Sequence, residues 1–270
     1  MASVRKRPPL FRALGRHEPP LRIEVDGRAF ERVEILKHDS WAATAVYRND
    51  ERTIVCKFNR TEHVFGVPMD WLGRWLADRE RRALTRLSGL PGIPPVCGPI
   101  YADGRRLVNA VAHDYIEGHP LAKNEQVSAT FFPALRRTLG AMHRRGIAYV
   151  DLHKRENIIV GADGRPYFID FQIHFGLDAR FSGPVSRAAF RLLCRSDDYH
   201  VDKHVRNSGG EATPPPTLPW WIRAHRFVAK PLRQLRRRLL VLFGIRRAEG
   251  RAETEAFAED AVRREQARAA

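Results

Sequence analysis

The sequence predicts a protein of the α+β class, in which strands and helices occupy different stretches of the chain. Short runs rich in β-branched and aromatic residues, bounded by turn residues, occur within residues 30–59 and again within residues 157–170. Residues 69–90 and 127–146 instead carry apolar residues at the three- and four-residue spacing of an amphipathic helix. Strand-rich and helix-rich stretches in one chain are typical of this class.

Composition limits the kind of protein that this chain can be. Its 270 residues are 43% hydrophobic and 29% charged, which is typical of a globular chain able to bury a large core. The formal net charge of +16 predicts an anionic partner, such as nucleic acid, a phospholipid surface or a phosphorylated ligand. The widely spaced Cys56, Cys97 and Cys194 predict neither a disulfide framework nor a zinc site, and they indicate a reducing compartment.

Neither a transmembrane helix nor a secretion signal is predicted. No apolar run approaches the roughly 18 residues that a membrane-spanning helix needs. The N-terminal stretch MASVRKRPPLFRALGRHEPP is basic and lacks the apolar core of a signal peptide. We therefore expect a cytoplasmic protein, with peripheral binding to the inner face of the cell membrane as a further expectation.

A β-hairpin is predicted between Asn157 and Asp170. The runs NIIV and PYFIDF are β-rich, and the sequence GADGR between them contains a turn signal. The hairpin would bring Asn157, just before the first strand, and Asp170, at the end of the second, to one side of the sheet within reach of a single metal ion. Carboxylate and amide oxygens are hard ligands, suited to Mg²⁺ that also holds phosphate oxygens.

Asp151 lies in the loop that precedes this hairpin. Its carboxylate could accept a proton from, or orient, an attacking hydroxyl group. One base and two metal ligands are the minimal set for phosphoryl transfer. The alternative is a surface hairpin with solvated polar ends; the ordered set of Asp151, Asn157 and Asp170 favours the functional interpretation.

Phosphoryl transfer also needs a cation on the nucleotide phosphates, and Lys57 is the candidate. The run RTIVCKFNR predicts a strand with Lys57 near its end, and FERVEIL and TAVYR predict two strands before it. The alternative for Lys57 is an ordinary strand-end lysine with its amine in water.

The helix predicted for residues 69–90 carries an acidic residue on its apolar face. The residues of that face are Leu76, Glu80, Ala83 and Leu87. A buried acid needs a partner, and Lys57 is the best candidate for Glu80. Asp78 lies off this face and is the weaker candidate.

The order of these residues resembles that of the protein-kinase-like superfamily. The matching residues are Lys57 on a strand, Glu80 on a helix, Asp151 and Asn157 in a loop, and Asp170 in the sequence IDF. The resemblance covers roughly residues 30–175. It implies a bilobal fold, with an antiparallel sheet and one helix in a small N-lobe and a mainly helical C-lobe, and it places ATP and Mg²⁺ between the lobes.

The resemblance also assigns roles to these residues. Lys57 would hold phosphates and Glu80 would orient Lys57. Asp151 would act as the base or orient the acceptor, and Asn157 and Asp170 would hold Mg²⁺.

Two further stretches resemble parts of the same superfamily. The sequence HDYIEGHPL resembles the hinge between the lobes, where backbone groups would meet adenine. The hinge residues would be Asp114, Tyr115, Ile116 and Glu117. The sequence VSATFFPALRRTLGAMHRRG resembles the long helix before the catalytic loop. Its apolar face would consist of Phe131, Leu135, Leu139 and Met142.

Several features depart from the pattern of the superfamily. The phosphate loop has no glycines, and Ser40 with residues 42–45 stands in its place, so we assign Ser40 to the ATP site. The interval from Asp151 to Asn157 is one residue longer than usual, which leaves open whether His153 or Lys154 supports Asp151.

Other departures lie around the metal-binding aspartate. Gln172 replaces the glycine expected after the DF pair, and no Ala-Pro-Glu sequence follows. The chain is thus more similar to compact atypical bacterial kinases, including lipopolysaccharide-core sugar kinases, and to the RIO-like and aminoglycoside-phosphotransferase-like branches. Because altered loops often accompany lost activity, a pseudokinase is the main alternative.

The C-terminal part predicts different properties. Residues 211–219 are proline-rich and predict a linker. Residues 220–247 contain nine Lys or Arg, no Asp or Glu, and a leucine stripe. This pattern predicts either a helix on an anionic membrane or a helix packed on the C-lobe. Binding of RNA is the third alternative. Residues 248–270 predict a polar tail.

Three regions are predicted before the linker: a basic extension over residues 1–28, an N-lobe over residues 29–114 and a C-lobe over residues 115–210. Within the C-lobe, Asp198 is a candidate to support the Asp151 loop. His200 and His204 have metal-site spacing but no complete ligand set, which favours a structural role.

The expected function is ATP-dependent transfer of the γ-phosphate to a hydroxyl acceptor. The favoured acceptor is a lipid-linked or lipopolysaccharide-core sugar at the cytoplasmic membrane face. The alternatives are an atypical Ser/Thr protein kinase and a non-catalytic nucleotide-binding module on membrane or RNA.

Overall fold

The structure, a computed structural model, describes residues 9–64, 66–178 and 182–208. The strands are β1 (Arg22–Val25), β2 (Arg28–His38), β3 (Ala42–Arg48), β4 (Thr53–Asn59), β5 (Ile100–Ala102), β6 (Arg105–Arg106), β7 (Ala110–Asp114), β8 (Gly118–Pro120), β9 (Ile147–Ala148), β10 (Ile158–Gly161), β11 (Pro166–Phe168) and β12 (Phe175–Gly176). The α-helices are α1 (Asp70–Leu87), α2 (Phe131–Arg144) and α3 (Pro184–Asn207). This content confirms the predicted α+β class.

The largest element is a curled, seven-stranded antiparallel sheet in the order β6-β5-β1-β2-β3-β4-β7. Successive strand residues alternate between its two faces. One face forms a hydrophobic cluster, to which β3 and β4 contribute Ala43, Ala45, Tyr47, Ile54, Cys56 and Phe58. Thr44 and Lys57 project from the other face, where α1 packs against β4 and β7.

Helix α1 forms where its apolar spacing predicts it. Glu80, Ala83 and Leu87 of the predicted face are buried, and Leu76 is half-buried. Gly73 lets the first turn approach the sheet, because a Cβ atom there would clash with the carbonyl oxygen of Arg60. The helix therefore lies close enough to β4 for Glu80 to reach Lys57.

The second half of the described chain surrounds a separate hydrophobic cluster. The predicted hairpin is confirmed as β10 and β11, with Ile158 opposite Phe168 and Val160 opposite Pro166, and β8 extends it to a three-stranded sheet. Helix α2 packs on β11, and the residues of its predicted face are all buried: Phe131, Leu135, Leu139 and Met142.

The prediction of a mainly helical C-lobe is wrong for the part of this region that the structure describes. Over residues 115–178 and 182–208, helices α2 and α3 cover less than half of the chain. The remainder consists of short strands and loops, because the hairpin and the pairing of β9 with β12 hold the chain extended around Asp151.

The predicted linker (211–219), basic segment (220–247) and tail (248–270) lie outside the described residues. So do the first eight residues of the predicted extension (1–28), whose remaining part includes β1 of the large sheet. Across the three described stretches, no helix combines the length and the apolarity that crossing a membrane requires.

Candidate active site

Lys57, Glu80 and Asp170 meet at the face of the large sheet that α1 covers, and we call these three residues the ion-pair cluster. The Lys57 Nζ atom lies 2.7 Å from Asp170 Oδ1 and 3.3 Å from Glu80 Oε2. The predicted pairing of Lys57 with Glu80 is therefore confirmed. The 3.3 Å contact is an ion pair without the alignment of a hydrogen bond, whereas the contact with Asp170 is a hydrogen bond.

The three charged side chains of this cluster are largely removed from water, and this burial shifts their pKa values. The Glu80 side chain is 2% exposed, that of Lys57 14% and that of Asp170 33%. Burial would lower the pKa of Lys57, but Asp170 and Glu80 raise it to about 12. Burial raises the pKa of Glu80 despite Lys57. The pKa of Asp170 is lowered, because the Lys57, Lys154 and Lys37 ammonium groups outweigh its burial.

Helix α1 also holds the chain that follows Asp170. Glu80 Oε1 accepts a hydrogen bond of 3.2 Å from the Phe171 N–H group. Arg79 donates to the carbonyl oxygens of Gln172, at 3.0 Å, and of His174. Sequence reasoning missed Arg79, since nothing in its spacing separates it from the other arginines of α1.

Asp170 itself has a constrained backbone. Its φ of 61° lies in the left-handed region, which is uncommon for residues other than glycine. The buried Tyr149 hydroxyl donates to the Ile169 carbonyl oxygen and lies 3.4 Å from that of Asp170. The Tyr149 hydroxyl thus constrains the backbone at Ile169 and Asp170, and residues kept in such conformations cluster at functional sites.

Asp151 is the centre of a second cluster in residues 149–157, which we call the Asp151 loop. Lys154 donates to Asp151 Oδ2 at 2.7 Å, and the Asn157 amide nitrogen lies 3.2 Å from the same oxygen. His153 Nδ1 lies 3.3 Å from Asp151 Oδ1. Lys154 therefore takes the closer supporting position that the sequence left open between His153 and Lys154.

The residues predicted to hold Mg²⁺ are an amide and a carboxylate. The Asn157 nitrogen is engaged with Asp151, so the amide oxygen is the atom that can coordinate a cation. Pairing of β10 with β11 brings the Asn157 and Ile169 backbones together, with a hydrogen bond of 3.1 Å, one residue before Asp170. These hard oxygen donors fit Mg²⁺ whose other ligands are phosphate oxygens and water.

This pair is a sparse ligand set by itself. In the part of the chain that the structure describes, no group of three or more His, Cys, Asp and Glu side chains could hold a metal ion. The donors fit a cation brought in with phosphates better than a permanently bound metal.

Helix α3 anchors the Asp151 loop through its backbone. The fully buried Asp197 accepts hydrogen bonds of 2.8 Å from the N–H groups of Tyr149 and Val150, and one of 3.0 Å from His143. Val150 has a φ of 69°, a genuine outlier for a β-branched residue. The predicted supporting residue, Asp198, is exposed, and its neighbour Asp197 holds that position.

His204 provides a second anchor from the same face of α3. Its Nε2–H group donates to the Leu152 carbonyl oxygen at 2.7 Å, and its side chain is buried. Burial lowers the pKa of His204, which favours the neutral imidazole, and its Nε2–H tautomer makes this contact. His204 therefore has the structural role that the sequence favoured over metal binding.

The predicted hinge connects the two sheets. Tyr115, Ile116 and Glu117 link β7, an edge strand of the large sheet, to β8 of the three-stranded sheet. Backbone hydrogen bonds of 3.0 Å from Tyr115 to Thr53 and of 2.8 Å from Ala162 to Glu117 fix its two ends.

The predicted hinge is also in contact with His113 and lines a cleft. His113 Nδ1 donates to the Asp114 carbonyl oxygen at 2.8 Å. Tyr115, Ile116 and Glu117 also line a shallow cleft with Ala162, Asp163 and Tyr167.

Ser40 lies in the turn between β2 and β3, but its polar groups contact other parts of the chain. Its hydroxyl donates to the Phe11 carbonyl oxygen at 3.1 Å, and its own carbonyl oxygen accepts a hydrogen bond of 2.7 Å from Arg60. The assignment of Ser40 to an ATP site stays a prediction, and the structure gives this side chain a partner in the N-terminal segment.

Comparisons with known proteins add no family. A scan against protein-family models finds no match for the chain, and a search of the curated proteins finds none.

Proposed function

We propose that this protein is an ATP-dependent phosphotransferase with a bilobal, protein-kinase-like fold. The observation that carries the proposal is the ion-pair cluster, in which residues 57, 80 and 170 meet at 2.7 and 3.3 Å. A lysine between two carboxylates, one of them buried and one partly exposed, supplies both a phosphate-binding cation and a metal-binding anion. The nearby Asp151 loop supplies a candidate base.

Each residue has a role that its surroundings support. Glu80 is buried and fixes the Lys57 ammonium, which binds the phosphates of ATP. Asp170, which is partly exposed and has a lowered pKa, keeps the ionised form that binds a cation. Asn157 and Asp170 hold Mg²⁺, which neutralises charge on the phosphates when it is bound.

Asp151 accepts or orients the proton of the attacking hydroxyl group. Its carboxylate receives hydrogen bonds from Lys154 and Asn157, and these donors fix its position beside the hairpin. Lys154 also places a positive charge next to the carboxylate, where charge on the transferred phosphoryl group would develop. The adenine ring would contact the backbone of residues 114–117.

The acceptor that we propose is a hydroxyl of a lipid-linked or lipopolysaccharide-core sugar at the cytoplasmic membrane face. Its support is the net charge of +16 and the acid-free, basic sequence of residues 220–247, which suit an anionic membrane surface. A serine or threonine of a protein is the second acceptor class. RNA is a less favoured partner for the basic segment.

The decisive experiment compares Asp151→Asn with Asp50→Asn, a matched change at an exposed turn residue. Calorimetry measures ATP binding, and labelled ATP measures transfer to a lipopolysaccharide preparation and to a protein mixture. We expect Asp151→Asn to keep ATP affinity and to reduce transfer at least about 100-fold, whereas Asp50→Asn leaves both unchanged. Equal transfer by the two variants would overturn the role of Asp151.

Two further results separate the alternatives. ATP binding without transfer to any acceptor would identify a pseudokinase. Transfer to protein alone would identify a Ser/Thr kinase. We expect instead that the unaltered protein transfers phosphate to the lipopolysaccharide preparation. We also expect that Asp170→Ala and Lys57→Ala lose ATP binding.

A further inference from the structure

The turn between β2 and β3 uses its own N–H groups internally. Asp39 Oδ1 accepts hydrogen bonds from the N–H groups of Trp41, at 2.7 Å, and of Ala42, at 3.0 Å. A phosphate loop without glycines would need exposed N–H groups to bind an anion. The N–H groups of Trp41 and Ala42 already donate to an anion, the Asp39 carboxylate. Another group must therefore supply positive charge on this side of the site.

Strand register identifies that group. Lys37 on β2 pairs with Thr44 on β3, and Thr44 pairs with Lys57 on β4. Residues directly opposite each other on neighbouring strands project from the same face of a sheet. Lys37 and Lys57 thus share one face, two strands apart, which corresponds to about 10 Å between their backbones.

This face is the one on which the ion-pair cluster lies. The neighbouring residues Ala43 and Ala45 belong to the hydrophobic cluster on the opposite face, so Thr44 and the two lysines project away from it. The Lys37 side chain is 43% exposed, so it can reach a ligand without a change in the sheet.

We propose that Lys37 is a second phosphate-binding cation, which takes the place of a glycine-rich loop. This inference rests on the proposed function and assigns a binding residue to the same site. The Lys37 ammonium lies 2.7 Å from Asp39 Oδ2, which holds it over the turn. Because the Lys37 side chain is 43% exposed and a polyphosphate carries more negative charge than one carboxylate, a polyphosphate can displace Asp39 as the partner of Lys37.

The ligand class follows from the geometry. Lys57 binds one part of the phosphate chain beside Asp170, and Lys37 binds another from the β2–β3 side. A nucleoside triphosphate can contact both lysines, whereas a nucleoside has no phosphate for either. Loss of Lys37 should therefore weaken ATP binding and leave adenosine binding unchanged.

The test compares Lys37→Gln with Lys123→Gln, the same change at an exposed lysine of a loop. Calorimetry with ATP, ADP and adenosine, each with Mg²⁺, gives the affinities. We expect Lys37→Gln to weaken ATP binding about tenfold, to weaken ADP binding less and to leave adenosine binding unchanged, while Lys123→Gln matches the unaltered protein.

A double-mutant cycle tests the role of Asp39. Asp39→Asn removes the competing anion and should strengthen ATP binding, and this gain should disappear in the Lys37→Gln background. If the unaltered protein binds ATP and Lys37→Gln binds it equally well, the Lys37 assignment is wrong but the proposed function stands. If the unaltered protein binds no ATP, the proposed function is wrong, and the Lys37 assignment is wrong with it.

Discussion

The ion-pair cluster and the Asp151 loop are adjacent parts of one candidate site, but they are held in different ways. In the ion-pair cluster, side chains from β4, α1 and the end of the hairpin bind one another by charge. In the Asp151 loop, buried side chains of α3 bind the backbone through Asp197 and His204. The first depends on paired charges and the second on an anchored backbone.

This difference determines how a substitution in each part should affect the stability of the protein. Removing one charge from the ion-pair cluster leaves another charge buried without its partner, and a second change can correct this. Removing an anchor from the Asp151 loop leaves buried backbone N–H or C=O groups without their hydrogen-bond partners, and no change of charge can correct that. Predictions on stability can therefore separate the two regions independently of any assay of activity.

The largest effect should come from Asp197→Ala. The change leaves the N–H groups of Tyr149 and Val150 without acceptors and removes the constraint that holds Val150 at positive φ. Since hydrogen bonds to charged groups are the stronger ones, we expect a loss of about 4 kcal/mol in the free energy of unfolding. Urea denaturation measures it, with Asp198→Ala as the control, for which the loss should be below about 1 kcal/mol. Equal losses would show that Asp197 is not the anchor.

Lys57→Met should have the next largest effect. It leaves Glu80 buried without its cation, and we expect a loss of about 3 kcal/mol, because protonation of Glu80 reduces the penalty for an unpaired buried charge. The double variant Lys57→Met/Glu80→Gln should recover at least half of the loss. A double variant no more stable than Lys57→Met would contradict an arrangement held by charge.

A smaller loss should follow from His204→Phe. The ring shape is kept, but the donor to the Leu152 carbonyl oxygen disappears, and we expect a loss of about 1.5 kcal/mol. Since Leu152 follows Asp151, the rate of transfer should fall while ATP affinity stays constant. A matched fall in ATP affinity would mean that His204 supports the whole site and not this loop alone.

A further effect, which depends on pH, should arise at His174, in the chain that α1 holds after Asp170. Burial and the nearby Arg79, Arg82 and Arg86 lower its pKa to about 4, against an ordinary value of 6.5. Between these values the unfolded state binds the additional proton, so the stability from neutral His174 falls as pH falls from about 6.5 to about 4.

His174→Gln should make that fall shallower, as measured by melting temperature between pH 7 and pH 4. His17→Gln, at an exposed histidine, is the control and should leave the slope unchanged. Identical slopes in the two variants would exclude the contribution from His174.

Much of the fold could be predicted because its signals are local. The apolar spacing of residues 69–90 predicted α1, and the turn sequence between two short strands predicted the hairpin of β10 and β11. The pairing of Lys57 with Glu80 followed from one acid on an apolar helix face. The secondary structure of the C-terminal half of the described chain was predicted less well, because short strands around a loop carry little periodicity.

Within the site, the sequence by itself determined which residue types were present and their order, since helix and strand periodicity depend on neighbours in the chain. Only the tertiary structure decided between adjacent candidates. Lys154 lies closer to the Asp151 carboxylate than His153 does, because the path of a loop depends on what packs beneath it. Asp197 rather than Asp198 anchors that loop, because the packing of α3 against the loop sets which of two consecutive carboxylates turns inward.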